Sequence, residues 1–147
     1  MYQQLASTSF LHIVYRPESC LLVGRWQCSV NEAQLREGYE LLRHAAIGYE
    51  CGRWLIDARR RIDRQRNGPE WVVTSFLPQV QAELSHSLCV AFLVLPNHLR
   101  ELEAETGPPI RSANPGALLQ YARFVEEGAA NGWLEAQRTG VRGQVVH

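Results

Sequence analysis

The sequence predicts a single α/β domain: a mixed sheet of about five strands, opened by an N-terminal hairpin, with four helices. Three observations carry this. Two runs rich in aromatic and β-branched residues flank a Pro17-Glu18-Ser19 turn. Strand-like and helix-like segments then alternate in the order β-β-α-β-α-β-α-β-α, which argues a sheet layered with helices. Residues 88–95, LCVAFLVL, form an unbroken apolar run, the mark of a strand covered on both faces.

Each element has a local reason. Residues 10–16 and 21–26 are the hairpin strands. Proline is pre-set for the second position of the turn between them. Ser29 and Glu32 match a capping box, in which each side chain satisfies the other's free amide, so a helix is expected from Ser29. Leu35, Tyr39, Leu42, Ala46 and Tyr49 recur at helical spacing and are expected to face the core. Gly52 stands where a C-terminal glycine would end this helix. Residues 53–58 read as the third strand. A second helix is expected over residues 69–84, since Pro69 suits a first helical position. Its apolar stripe is Phe76, Leu77, Val80 and Leu84, and Pro78 should bend it by removing a backbone bond and crowding the preceding turn.

After the central run, Pro96 ends the strand and Asn97 can cap a short helix to about residue 105. Gly107-Pro108-Pro109 and Asn114-Pro115-Gly116 mark a loop over 106–116. Residues 118–125 read as the last strand. Residues 129–137 read as a last helix, docked through Trp133 and Leu134. Residues 1–138 make the domain, and 139–147 are expected to form a flexible tail.

Composition narrows the class. The chain has 147 residues, 46% apolar and 20% charged, enough for one ordinary core. Formal net charge is zero, which argues against nucleic acid or an anionic membrane as a partner for the whole molecule. All 15 basic residues are arginine. A coding bias is the simpler source, although arginine also makes bidentate contacts that lysine cannot. Cys20, Cys28, Cys51 and Cys89 lack C-x-x-C spacing, so reduced and mostly buried thiols of a cytoplasmic protein are expected. Residues 1–10 lack the basic and apolar regions of a secretory signal, and no apolar run approaches membrane-spanning length.

The candidate site is the stretch that follows the third strand. Asp57 ends that strand, and Arg59, Arg60, Arg61, Arg64 and Arg66 put five cations within eight residues. A helix opened by Pro69 and Trp71 comes next. Ligands gather at the carboxyl ends of strands beside helix N-termini in open α/β sheets. Arginine forks there can hold a phosphate or carboxylate. The alternative is a solvated loop neutralised by Asp57, Asp63 and Glu70. Asp57 can orient Arg59, bind a partner, or simply bond local backbone. Trp26, Trp54, Trp71 and Trp133 read as core or core-edge residues. A second option sets Trp71 and Tyr39 beside an apolar pocket.

Catalytic and metal patterns are weak. His12, His44, His86, His98 and His147 have no zinc-ligand spacing. Ser85-His86-Ser87 lacks a nucleophile elbow. Glu101, Glu103 and Glu105 read as a helix surface run rather than a catalytic pair, since residues two apart do not share a helix face. Neither a P-loop nor a dinucleotide fingerprint occurs. No cofactor is implied, and an enzyme is not expected.

The strand ending in DARRR, the proline-containing helix WVVTSFLPQV and the closing YARFVEEGAANGWLEAQ together resemble STAS domains, the fold of bacterial anti-sigma-factor antagonists. The resemblance spans roughly residues 8–138 and is nearest to STAS-like bacterial proteins of unknown function. It implies a regulatory or protein-interaction domain. In the antagonists a phosphorylatable serine or threonine follows the corresponding strand. Residues 58–71 contain no serine, threonine or tyrosine, so that switch is not carried over, and Thr74 and Ser75 lie a turn too far along. The expected function is therefore a non-enzymatic cytoplasmic interaction domain, binding an unknown protein partner through Asp57, Arg59, Arg60, Arg61, Arg64, Arg66 and Trp71. The alternative is a carrier of a small apolar or anionic ligand. A homodimer is left open.

Overall fold

A computed structural model describes residues 3–4, 8–60, 71–84, 86–97, 100 and 118–146. Five strands form a mixed sheet: β2 (Leu11–Arg16), β3 (Leu21–Trp26), β4 (Arg53–Asp57), β5 (Leu88–Leu93) and β6 (Leu119–Phe124). A two-residue strand, β1 (Gln3–Gln4), extends the edge beside β2, so the spatial order is β1-β2-β3-β4-β5-β6. The hairpin pair β2–β3 is antiparallel, with Val14 opposite Val23. The pairs from β3 to β6 are parallel. Three helices accompany the sheet: α1 (Glu32–Tyr49), α2 (Leu77–Leu84) and α3 (Glu127–Val146). The fourth expected helix, at 97–105, falls almost wholly outside the described residues, with Pro96 and Asn97 in helical conformation.

The sheet is covered on both faces. On one, Leu22, Trp54, Ile56, Val90 and Phe92 pack with Leu35, Tyr39, Leu42 and Ala46 of α1 and Leu77, Val80 and Leu84 of α2. On the other, Leu21, Val23, Leu55, Cys89 and Ala91 meet Ala130 and Leu134 of α3. Strand β5 lies between β4 and β6 and every residue of it is buried, as its continuous apolar run predicts. Tryptophans 26 and 54 are buried, while Trp71 and Trp133 pack at the margins of the two clusters. No helix among the described residues is long and apolar enough to cross a membrane.

Several boundaries differ from expectation. Helix α1 is capped by Asn31, not Ser29. The Asn31 Oδ1 accepts from the Gln34 amide at 2.8 Å, and Gln34 Oε1 accepts from the Asn31 amide at 3.0 Å. The reason lies just outside the helix. Val30 precedes this cap and packs on the same core as Leu35, the two positions of a hydrophobic staple. A cap at Ser29 would have put exposed Cys28 in that place. Asn31→Ala should cost about 1 kcal/mol, read from urea unfolding at constant slope. At the other end the left-handed residue is Glu50, at φ 51°, and not Gly52. Tyr49 is 39% exposed rather than core-facing, because it lies past the last buried position, Ala46, and stacks on Tyr15 at 4.2 Å.

Pro78 acts through the turn before it. Residues Val72–Phe76 form a π turn in which the Leu77 amide reaches back to the Val72 carbonyl. The wider turn accommodates a proline that cannot donate and that would crowd a regular one. Helix α3 begins two residues earlier than expected and continues to Val146, through the segment expected to be a tail. Of the four cysteines only Cys51 and Cys89 are buried. Cys20 and Cys28 sit at turns flanking β3 and are exposed, which corrects the expectation of mostly buried thiols.

Candidate functional site at the carboxyl ends of β3 and β4

Strand alternation positions the site. Leu21 and Val23 face α3, so Arg25, two residues on, points to the same side. Leu55 does the same for Asp57 on β4, and Arg25 and Asp57 are direct cross-strand partners. Asp57 is the last residue of β4. Its Oδ1 accepts from the Arg59 amide at 3.1 Å, a local turn that ends the strand.

The same carboxylate anchors two guanidinium groups. Arg59 grips it with a two-pronged fork, Nε to Oδ1 at 3.0 Å and Nη2 to Oδ2 at 2.9 Å. Arg25 donates through Nη1 to Oδ2 at 2.9 Å. Arg25 also forks onto Glu127, the first residue of α3, at 3.0 and 2.9 Å. Arg59 Nη2 lies 3.6 Å from Glu127 Oε1. Two cations and two anions therefore form one closed, formally neutral network.

Its protonation states are fixed by this geometry. Burial pushes the Asp57 carboxyl up, but the donors of Arg59 and Arg25 together outweigh it and hold its pKa below the usual range. The Arg25 fork likewise holds Glu127 low. Arg25 is raised, chiefly by Glu127, and Arg59 is raised, chiefly by Asp57. Both carboxylates are ionised near neutral pH, and neither is poised to take up a proton there.

Beside the network lies an open cleft of about 650 Å³, lined by Arg25, Trp26, Gln27, Asp57, Arg59, Arg60 and Leu95. Gln27 spans its rim, donating to the Arg25 carbonyl at 3.1 Å and accepting from Arg60 Nη1 at 3.1 Å. Leu95 is 45% exposed at the cleft wall. The lining carries three guanidinium groups and one carboxylate, and with Arg25 and Arg59 balanced by Asp57 and Glu127 its net positive charge is that of Arg60.

Of the residues anticipated from sequence, Asp57, Arg59 and Arg60 meet here. Trp71 is placed elsewhere. Its ring packs against Tyr39 at 6.1 Å and Phe76 at 5.4 Å, with the Arg36 guanidinium 4.4 Å above it. Tyr39 is buried in that aromatic cluster. Arg61, Arg64 and Arg66, with the proposed neutralising partners Asp63 and Glu70, lie outside the described residues. Two members of the network were not anticipated, Arg25 and Glu127. A charged residue inside the otherwise apolar strand LLVGRW was a usable signal for the first. Glu127 was hidden because the helix was expected to start at Ala129. Among the described residues, no group of three or more histidine, cysteine or acidic side chains is placed to hold a metal ion. Compared with protein-family models, curated proteins and solved structures, the chain has no significant match.

Proposed function

We propose that this chain is a non-enzymatic regulatory or protein-interaction domain of STAS-like fold, and that it binds an acidic group of its partner in the cleft beside Arg25, Arg59 and Arg60. The observation that carries this reading is an open cleft with guanidinium groups on its lining, held on a rigid frame, with Arg60 as its unbalanced cation. Arg25 and Asp57 are locked by strand register and Arg59 by its fork, so the frame needs no rearrangement on binding. Arg60 and exposed Leu95 supply a cation and an apolar contact at the entrance. The lining side chains are guanidinium, amide, carboxylate and apolar groups, which suit recognition better than nucleophilic or acid–base chemistry.

The cleft volume also falls in the range of small-molecule pockets, so a carrier of a small anion is the second reading. Native mass spectrometry of freshly purified protein separates the two. A retained small molecule supports the carrier, and a bare chain mass supports the interaction domain.

Arg60→Glu is the direct test, because Arg60 is exposed and its substitution should leave stability within about 0.5 kcal/mol. Quantitative capture from the host lysate should show proteins enriched by the wild type and lost with Arg60→Glu. That binding should also weaken as salt rises, since exposed charges are screened beyond about 8–10 Å. Identical capture by wild type and variant at low and high salt would overturn the cleft as the binding surface.

A further inference from the structure

We propose that Cys20 and Cys51 are a redox-sensitive pair, a modification site at the amino ends of β3 and β4 that closes to a disulfide under peroxide. Both are free thiols in the structure. The Cys51 Sγ lies 3.4 Å from the carbonyl oxygen of Cys20, and also 3.3 Å from that of Arg53. The strand register explains the proximity. Leu22 and Trp54 form the first rung of the β3–β4 ladder, and Cys20 and Cys51 lie two and three residues before it. Neighbouring strands lie about 4.8 Å apart, so residues just before the first rung of such a ladder are near one another. Disulfides bridge Cα atoms about 4.4–6.8 Å apart. Cys51 packs in the cluster under α1 together with Leu22 and Tyr15, and the Cys20 thiol donates to the Pro17 carbonyl at 3.6 Å. Tyr15 of β2 reports the same neighbourhood. Its hydroxyl is raised first by burial and then by the nearby Cys51 and Cys20 sulfurs.

Exposure divides the roles. Cys20 is exposed, at the left-handed residue that closes the 3-10 turn Pro17–Ser19. Cys51 is 3% exposed, and burial pushes its thiol pKa up. Peroxide therefore reaches Cys20 first and oxidises its thiol to a sulfenic acid, releasing one water. The Cys51 sulfur then attacks Cys20 Sγ. The S–O bond breaks, and the departing hydroxide takes the Cys51 proton and leaves as a second water. Two thiols and one peroxide thus give one disulfide and two waters. The bond would tie together the amino ends of the two strands whose carboxyl ends carry Arg25 and Asp57. This inference stands independently of what the cleft binds.

The test is to treat the full chain with hydrogen peroxide, block remaining thiols with iodoacetamide, and map peptides by mass spectrometry. The expected product is a peptide pair joined through Cys20 and Cys51, lighter by two hydrogens and released by dithiothreitol. Cys28, also exposed but at the other end of β3, serves as the control and should enter no disulfide within the chain. Cys20→Ser, a surface change that leaves the fold intact, should abolish the cross-link and leave Cys51 reduced. Further oxidation of Cys20 to sulfinic acid with Cys51 still free would overturn the proposal. So would a disulfide that joins Cys20 to Cys28 or links two chains.

Discussion

Gly52→Ala should cost about 3 kcal/mol or more and lower the melting temperature by roughly 10 °C. A Cβ at this position would stand 2.0 Å from the carbonyl oxygen of Ser87 and 3.1 Å from the His86 ring. The first neighbour is backbone, so no side-chain rotation can make room. Gly52 also accepts the Cys89 amide at 2.7 Å, one of the bonds that starts the β4–β5 pairing. Separating the two backbones therefore loosens the ladder as well. Gly48→Ala provides the contrast, because a Cβ there meets nothing within 4 Å. Gly48 lies in the last turn of α1, so alanine there should be neutral or stabilise by up to about 0.5 kcal/mol. Paired thermal and urea melts decide the matter, and a Gly52→Ala loss below about 1 kcal/mol would contradict the contact.

Asp57→Ala is the second large effect, expected at about 3 kcal/mol. The Asp57 side chain is 11% exposed and serves Arg25 and Arg59 together, so its removal leaves two guanidinium groups without their shared acceptor. Breaking a buried ion pair from one side costs about 3–5 kcal/mol, and the partial exposure of both arginines argues for the lower end. The same network sets an acid limit. Asp57 and Glu127 have folded pKa values below their unfolded ones, so their stabilisation is complete above about pH 4–5, near the ordinary carboxyl values. It is lost as pH falls through the lowered folded values. Urea midpoints between pH 7 and pH 3 should drop at the acid end for the wild type. The Asp57→Asn, Glu127→Gln double variant should show a shallower drop. Parallel curves would mean that other carboxylates govern acid unfolding.

Local rules made most of the sheet legible. Residues 88–93 needed only an unbroken apolar run, and the hairpin only a proline turn between two runs rich in aromatic and β-branched residues. Helix α1 showed its buried stripe at Leu35, Tyr39, Leu42 and Ala46. Its ends were harder, since Ser29 and Asn31 are comparable caps, and only the packing of Val30 decides between them. The site was half legible. Asp57 and Arg59 are two residues apart, and their contact follows from a short turn. Arg25 and Glu127 are 102 residues apart, and no local rule pairs them. Their meeting depends on α3 crossing the sheet with its first turn over the end of β3. The arginine-rich sequence suggested free cations, whereas Arg59 is already committed to Asp57 and Arg60 reaches Gln27.

The placement of α3 has a consequence for the order of synthesis. The described helices that connect β3 to β4 and β4 to β5 lie on one face, so that face can close while the chain is still growing. Among the described residues, the cover of Leu21, Val23, Leu55 and Ala91 on the opposite face comes from Ala130 and Leu134, which are made last. The same helix brings Glu127 to the Arg25 fork. A nascent chain that has reached β6 thus has Arg25 and Arg59 sharing the single carboxylate of Asp57. Translation of one further helix both adds that cover and completes the charge network, so the cleft matures only after the rest of the fold has been synthesised.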